Sequence, residues 1–446
     1  MKVSGDQRHQ PAVIVTATKP GWVSCQSISA NLRQAYRHAF ASNFNAFEVQ
    51  PEMGDWDVFQ LARKIAESQP ERLIFLDHPP HPARLLKELA RLYGTRPLPP
   101  LFIHVYGDFT IYTPSWIYIE PLLQKCRVTF LCASERQQSL IQDFVGPSSR
   151  SSVVVCPFQV NQEYFYFDPK LRLQMRKRLR VGTEERVFLY AGRISMQKNV
   201  IPMVQNFLAI TAKSAIPSRL IVAGEFDDIG APFFGVVPAK GQCYQQWVEL
   251  RSKLSPTDLK RLHYVGNQSS ANLLALYNAS DIGISLSLHH DEDFGMAPIE
   301  GLFTGSRMIL SDWGGYASFK DREEFCTTVE TRLPPRDGGR SGLISKRSFA
   351  NELKRHLNAP LDQKARADCA DRYAQRFSIP SVARILKQIH ALPAKKFAGF
   401  SERMKFHARA VLCSQSGGPP MFPLGMRRGS FYEDVYQAYL RKGISE

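Results

Sequence analysis

None of the eight cysteines forms a Cys-x-x-Cys pair; Cys25, Cys126, Cys132, Cys156, Cys243, Cys326, Cys369 and Cys413 are scattered along the chain. A zinc ribbon or a disulfide framework is therefore not expected. No apolar run approaches the roughly 18 residues a bilayer span requires, and the opening residues 1–10 hold no apolar core of signal-peptide length. The expected location is the cytoplasm, with peripheral contact on the inner face of the membrane left open. Helix-turn-helix, zinc-finger and RNP-like patterns are all missing, which sets nucleic acid aside as a partner. Acidic residues are the minority: 41 Asp and Glu against 57 Lys and Arg give a net charge of +16. Such an excess suits an anionic membrane surface or an acidic acceptor, or simply solubility with a few phosphate-binding side chains.

What is present is a globular composition, 44% apolar and 22% charged, over 446 residues, a length that favours two or three domains over one. Short apolar strands alternate with helical segments nearly throughout, the pattern of parallel α/β architecture. Strands are expected at 12–17, 73–76, 101–105, 128–131 and 153–155, with helices such as 27–40 and 82–93 between them. The pattern breaks at 157–169 and restarts at 187–191, continuing through strands at 220–223, 263–265, 282–288 and 308–310. Two doubly wound, Rossmann-like domains follow, at 1–168 and 185–377, with a helical extension at 378–446 expected to pack on the first. A ligand is then expected where the carboxyl ends of the strands face each other across a cleft. The basic run Arg172, Arg176, Lys177, Arg178 and Arg180 reads as the solvated face of a connecting helix. Phe431, Val435, Tyr436, Tyr439 and Leu440 suit one helical face packed on the body.

The segment Glu292-Asp-Phe-Gly-Met-Ala-Pro-Ile-Glu300 lies between the strand 282–288 and a helix that ends near Gly305. Its two glutamates flank a Phe294-Gly295 turn, one in a loop at a strand's carboxyl end, the other in the first turns of a helix. The free N–H groups of that helix start favour an anion in the same crevice. Carboxylates suit polyol hydroxyls and helix-start amides suit phosphates; a nucleotide sugar has both. His289 and His290 beside these acids point opposite ways on extended backbone, so joint zinc ligation is not expected.

Three further motifs sit in order around this segment: Gly192-Arg193 with Lys198-Asn199 after the strand 187–191, Val265-Gly266-Asn267, and Asp312-Trp313-Gly314-Gly315. Together they resemble the signature of retaining glycosyltransferases of the GT-B fold, glycosyltransferase family 4, also called glycosyl transferases group 1. The clear resemblance covers about 170–390; the first half matches in layout. It implies transfer of a sugar from a nucleotide-diphosphate donor to a saccharide or lipid-linked acceptor, as in lipopolysaccharide, surface polysaccharide or glycolipid synthesis. It implies no metal and no cofactor beyond the donor, so Asp291-Glu292-Asp293 is not read as a metal-binding Asp-x-Asp. A non-catalytic relative that binds nucleotide sugar or glycan is the alternative.

By the same resemblance, Arg193 and Lys198 neutralise the departing diphosphate, Glu300 receives the ribose hydroxyls, and Glu292 faces the transferred sugar. The backbone of Phe294, Gly295 and Met296 and the residue Asn267 complete the donor site. In the first half, His104 resembles the cleft histidine set against the donor sugar, with Glu292 one of two expected catalytic residues. Gly21 stands where the family has a glycine-rich loop next to the diphosphate. The ordinary alternatives are a core histidine for His104, an exposed helix glutamate for Glu300, and a surface pair for Arg193 and Lys198. Arg84, Lys87 and Arg91 along one helix face fit an anionic membrane surface, or plain solvation.

Overall fold

The computed structural model of the protein describes residues 10–16, 23–41, 43–50, 52–76, 83–105, 109–227, 241–289, 291–321, 325–332, 343–415 and 435–440. The chain divides into two compact units, Met1–Gln159 with Ile379–Gly418, and Val160–Ser378 with Pro419–Glu446.

Unit 1 holds a six-stranded sheet of β1 (Ala12–Thr16), β2 (Asn45–Val49), β3 (Leu73–Leu76), β4 (Leu101–Val105), β5 (Val128–Cys132) and β6 (Val153–Val155). Every pairing is parallel, in the order β2-β1-β3-β4-β5-β6. Helices α1 (Val23–Ala39), α2 (Asp55–Glu67), α3 (Ala83–Tyr93), α4 (Thr113–Leu123) and α5 (Glu135–Phe144) make the crossovers. Strands of such a sheet are covered on both faces, so they read as unbroken apolar runs rather than alternating ones. Leu-Ile-Phe-Leu of β3 and Val-Thr-Phe-Leu-Cys of β5 are accordingly buried along their whole length. The strand order reverses between β1 and β3. The loops at that point, 17–22 and 77–82, lie outside the described residues, and with them Gly21.

Unit 2 begins with α6 (Pro169–Arg178) and carries β7 (Arg186–Ala191), β8 (Ser218–Ala223), β9 (Leu262–Gly266), β10 (Ile282–Ser285), β11 (Arg307–Ser311) and β12 (Cys326–Val329). The sheet is again parallel, ordered β12-β11-β10-β7-β8-β9, with its reversal between β10 and β7. Its helices are α7 (Val200–Thr211), α8 (Gln242–Ser252), α9 (Pro256–Arg261), α10 (Ser270–Ala279), α11 (Met296–Phe303), α12 (Lys346–Asn358) and α13 (Gln363–Phe377). In such sheets the crevice outside the carboxyl ends of the two strands at the reversal is the ligand position. Here those strands feed the loops 192–199 and 286–295.

The basic run is not a solvated face throughout. Lys177, Arg178 and Arg180 are exposed, but Arg172 and Arg176 turn inward onto Asp281, at 2.5 and 3.0 Å. Arg172 also caps the last carbonyls of α10, donating to Asn278, Ala279 and Ser280 at 2.8–3.0 Å. The physical reason is the end of α10: its unpaired carbonyls and negative dipole end attract cations, and the charge-only reading of α6 had no view of them.

The segment after residue 378 does not act as one extension. Helices α14 (Ile379–Ala391) and α15 (Glu402–Gln415) belong to unit 1, where Phe397 and Phe400 between them pack edge-on and tilted against the Phe130 ring. Val435–Leu440 belongs to unit 2.

Candidate functional site

The floor of the unit 2 crevice is built from glycine. β7, β8 and β9 run out into Gly192, Gly224 and Gly266, all in positive φ at 140°, 142° and 69°. Gly224 N–H donates to the Gly266 carbonyl at 2.8 Å, and a Cβ on Gly224 would stand 1.8 Å from the Gly192 oxygen. At Gly224 only glycine allows the strand ends to lie this close. The 192–198 loop is then knitted to the next one: Ile194 N–H donates to Glu225 O at 2.8 Å, and Asp227 N–H to Ile194 O at 3.1 Å. This brings the Asp227 carboxylate onto the Arg193 guanidinium, and the two form an ion pair.

Lys198 lies on the same loop, just before the left-handed Asn199 that starts α7. Its ammonium donates to Glu292 Oε2 at 2.7 Å, and the Ser287 hydroxyl donates to the same oxygen. Glu292 is 6% exposed, so its carboxylate is matched by a cation and a hydroxyl rather than by bulk water. Leu288 N–H donates to Gln197 O at 3.0 Å, which fixes the two loops against each other.

The acid loop is held from below by Gly314 and Gly315. Gly315 N–H donates to Glu292 O at 2.6 Å, and a Cβ at Gly315 would stand 2.1 Å from the Asp293 oxygen. Phe294 is a core anchor, its ring 4.9 Å from Phe319 and 5.6 Å from Phe377, so only its backbone is left for a ligand. Gly295, at φ 110°, turns the chain into α11 under the ring of Tyr316, where a Cβ would stand 2.4 Å from a ring carbon. Met296 opens α11, whose first-turn N–H groups precede the helical ladder.

One turn on, Glu300 lies against Tyr277. The Tyr277 hydroxyl donates mainly to Ala297 O, at 2.9 Å, and reaches Glu300 at a longer 3.4 Å. Burial of its carboxyl raises the Glu300 pKa from 4.5 to about 8, although the residue as a whole keeps some exposed surface. The carboxyl is therefore mostly protonated at neutral pH.

Chemically, the crevice offers two cations on one loop, a glutamate bonded to one of them, a protonated glutamate one helix turn away, and a helix start. The sequence profile of glycosyl transferases group 1 matches residues 172–331, the span that carries all of these groups. Residues 172–331 are similar to the group 1 glycosyltransferases.

Over 146 residues it is 30% identical to the lipopolysaccharide 1,2-N-acetylglucosaminetransferase of Salmonella typhimurium, covering 32% of this chain and 35% of that one. The match thus spans about a third of that relative's length. With the D-inositol 3-phosphate glycosyltransferase of Thermobispora bispora it is 24% identical over 79% of this chain and 74% of the other. Among solved structures, Anabaena HepE in complex with UDP superimposes with a TM-score of 0.60 at 14% identity, over 86% of this chain and all of HepE. The fold of the chain is GT-B.

Of the expected donor-side residues, Lys198 and Glu292 are in direct contact, and Arg193 shares the Lys198 loop but is held by Asp227. Asn267 is exposed, immediately after Gly266 at the carboxyl end of β9. His104 belongs to unit 1, where it is a buried histidine in β4. Its Nε2 is 2.8 Å from the Tyr36 hydroxyl, which also stands 3.3 Å from Nε2 of His390. Burial lowers the His104 pKa to about 3, so the ring is neutral. The loop that follows it, 106–108, lies outside the described residues, as do His290 and Gly21. Among the described residues no group of three or more His, Cys, Asp or Glu is arranged to hold a metal.

Sequence reasoning missed Asp227, Ser287 and the Asp281 cluster. Ser285 and Ser287 carried a signal, two hydroxyls on one side of an otherwise apolar strand run. Asp227 carried none, since its contact with Arg193 depends on the close packing of Gly192 on Gly224.

Proposed function

We propose that this protein is a retaining, metal-independent glycosyltransferase that moves a sugar from a nucleoside-diphosphate donor to a hydroxyl of a saccharide or lipid-linked acceptor. The observation that carries the reading is the Lys198–Glu292 pair at the sheet reversal of unit 2, with Arg193 on the same loop and the α11 start beside it. Arg193 and Lys198 offer the leaving diphosphate a planar fork and a point charge, the task a metal ion performs in other enzymes. Glu300 accepts from the ribose hydroxyls. Glu292 holds a sugar hydroxyl and stabilises positive character at the anomeric carbon. In the transfer, the bond from the anomeric carbon to the phosphate oxygen breaks and a bond to the acceptor oxygen forms. The acceptor's proton passes to the departing phosphate oxygen. No protein nucleophile is needed, and the catalysis lies in positioning and charge stabilisation. Retention is supported by the likeness of residues 292–300 to the retaining signature.

The likeness to a lipopolysaccharide N-acetylglucosaminetransferase favours an acceptor in lipopolysaccharide, surface polysaccharide or glycolipid synthesis, whereas the likeness to an inositol 3-phosphate glycosyltransferase favours a small phosphorylated polyol. Peripheral contact with an anionic membrane on the cytoplasmic side fits the first of these acceptor classes. It is supported by exposed Trp56 and Tyr118 on unit 1 and by Lys87, which bonds the Tyr118 hydroxyl. Arg84 and Arg91 add less, being paired with Asp55 and Glu88. No helix among the described residues is long and apolar enough to cross a membrane.

The test is a thermal-shift screen of UDP, GDP, ADP and their sugar conjugates, starting from UDP because HepE was solved with it. Hits are then assayed for transfer with and without EDTA, and the product anomer is read by NMR. Stabilisation by one nucleotide, EDTA-insensitive transfer and a retained anomer are expected. Binding with neither transfer nor donor hydrolysis replaces the enzyme by a binding protein; no stabilisation by any nucleotide overturns the donor site itself.

A further inference from the structure

Val435–Leu440 is the last described stretch of the chain, and Val435, Tyr436, Ala438 and Tyr439 are all buried in unit 2. Tyr436 and Tyr439 lie against the acid loop and its support. The Tyr439 hydroxyl donates to Asp293 Oδ1 at 3.2 Å. The rings of Tyr436 and Tyr439 stand 5.9 and 5.5 Å from that of Trp313. The Trp313 indole N–H in turn donates to His289 O at 2.6 Å. Gly314 lies between: at φ 51°, a Cβ there would meet the Tyr439 ring at 3.2 Å and the Glu292 carbonyl at 2.4 Å.

The loop 289–293 is thus gripped at three successive points, His289 by Trp313, the Glu292 carbonyl by Gly315, and the Asp293 carboxylate by Tyr439. Asp293 is 6% exposed, and a buried carboxylate needs donors to stay in place. Glu292 sits between two of the gripped positions, so the direction of its side chain follows from theirs.

We propose that Tyr439 is a positioning residue for Glu292, and that residues 435–440 form a strap that holds the acid loop in its donor-binding shape. The functional half of this rests on the donor-site reading of Glu292; the structural half does not.

The experiment compares the full chain with Tyr439→Phe, with Asp293→Ala, with the double variant, and with a chain ending at residue 434. Hydrogen exchange of the free protein over residues 289–296 needs no substrate. Tyr439→Phe keeps the ring and loses only the hydroxyl, so a rise in exchange of about fivefold confined to this loop is expected. Exchange in β7 and in α15 stays at the level of the unaltered protein. In transfer assays kcat falls about tenfold while the donor KM stays within about twofold, the mark of an orientation lost in the transition state. The double variant is no worse than Asp293→Ala alone, because the two changes break one contact. Unchanged loop exchange in Tyr439→Phe, or additive losses in the double variant, overturns the proposal. Should the shortened chain fail to fold, Tyr439→Phe decides alone. If no donor is turned over, the donor reading fails and the exchange result still decides the strap.

Discussion

Lys198 Nζ stands 2.7 Å from Glu292 Oε2, joining the loop after β7 to the loop after β10 through one ion pair whose side chains are 18% and 7% exposed. Each charge depends on the other for solvation, and a bound diphosphate would add a second anion to the lysine. Removing one member alone strands the other. Lys198→Ala is expected to lower stability by about 3 kcal/mol, the lower end for a broken buried pair because the lysine keeps some water. It is also expected to lower kcat/KM for the donor by about 10²–10³. Lys198→Met combined with Glu292→Gln regains most of the melting temperature without regaining transfer, since it removes both charges together. Calorimetry and donor kinetics on the three proteins check this. Recovery of transfer in the double variant would remove both residues from the chemistry.

If Glu300 receives the ribose as proposed, donor binding is expected to depend on pH. Its carboxyl titrates near 8 in the folded protein, against an ordinary 4.5, because of burial, with the Tyr277 contact opposing it only weakly. Between those values the folded state keeps a proton that the unfolded chain has lost. Its contribution to stability is full below about 4.5, falls as pH rises towards 8, and is level above. Ribose hydroxyls donating to the carboxylate favour its ionised form, so nucleotide binding is expected to release a proton near pH 7 and to tighten as pH rises from 6 to 8.5. Calorimetric titrations in buffers of different ionisation enthalpy measure that proton. Glu300→Gln should lose the release and flatten the affinity profile, which separates it from titration of the nucleotide's own phosphate.

The parallel architecture was legible because buried strands such as Leu73–Leu76 leave no alternation to misread, and because their spacing leaves room only for crossover helices. The Lys198–Glu292 neighbourhood was legible too, since both motifs follow strands and strand ends share one edge of a parallel sheet. That the two side chains meet each other was not legible. Contact depends on the strand order β10-β7, and chain order does not give it. The same holds for Arg172 and Arg176: on their own helix they read as solvated cations, and only the end of α10 and Asp281, far along the chain, make them internal. Tyr439 lay in a recognisable apolar stripe, but its partner Asp293 could not be read from that stripe.

Asp281 is the electrostatic centre of unit 2 away from the crevice. It accepts from Arg172, Arg176 and Arg366 at 2.5, 3.0 and 2.7 Å, and from the Val187 N–H at 2.8 Å. Burial opposes its ionisation, but the arginines and the backbone N–H outweigh that and hold its pKa below the ordinary carboxylate value. Asp281→Asn leaves three guanidinium groups facing one another with no anion between them. A loss of about 3–5 kcal/mol is expected, on the order of 10 °C in the melting step of unit 2. Pairing it with Arg366→Met should return part of that loss by removing the most buried of the three cations. A melting temperature unchanged by Asp281→Asn would show that the cluster is screened by water after all.

Acid lowers the stability of unit 1 through its histidines, as base lowers that of unit 2 through Glu300. His104, His390 and His407 are buried there and neutral, with burial lowering their pKa values to about 3, 2 and 3 from 6.5. Below pH 6.5 the unfolded chain takes up protons that the folded unit refuses. Stability is therefore full above about 6.5 and is lost as pH falls towards the folded values, by up to about 1.4 kcal/mol per pH unit for each histidine. Urea unfolding between pH 4 and 7 should show unit 1, followed by the fluorescence of Trp116 against Phe130, weakening steeply through this range. His407 stacks on Phe144 with ring centroids 5.4 Å apart, so His407→Phe preserves the stack and removes one titrating group. The slope for that variant should drop by about one third, as one of three such groups is gone. The neutrality of His104 has a kinetic counterpart: the pH–rate profile of transfer should carry no step near 6.5 that His104→Gln abolishes. A step of that kind would mean the ring reaches solvent during turnover, and would make it a proton carrier rather than a neutral partner of Tyr36.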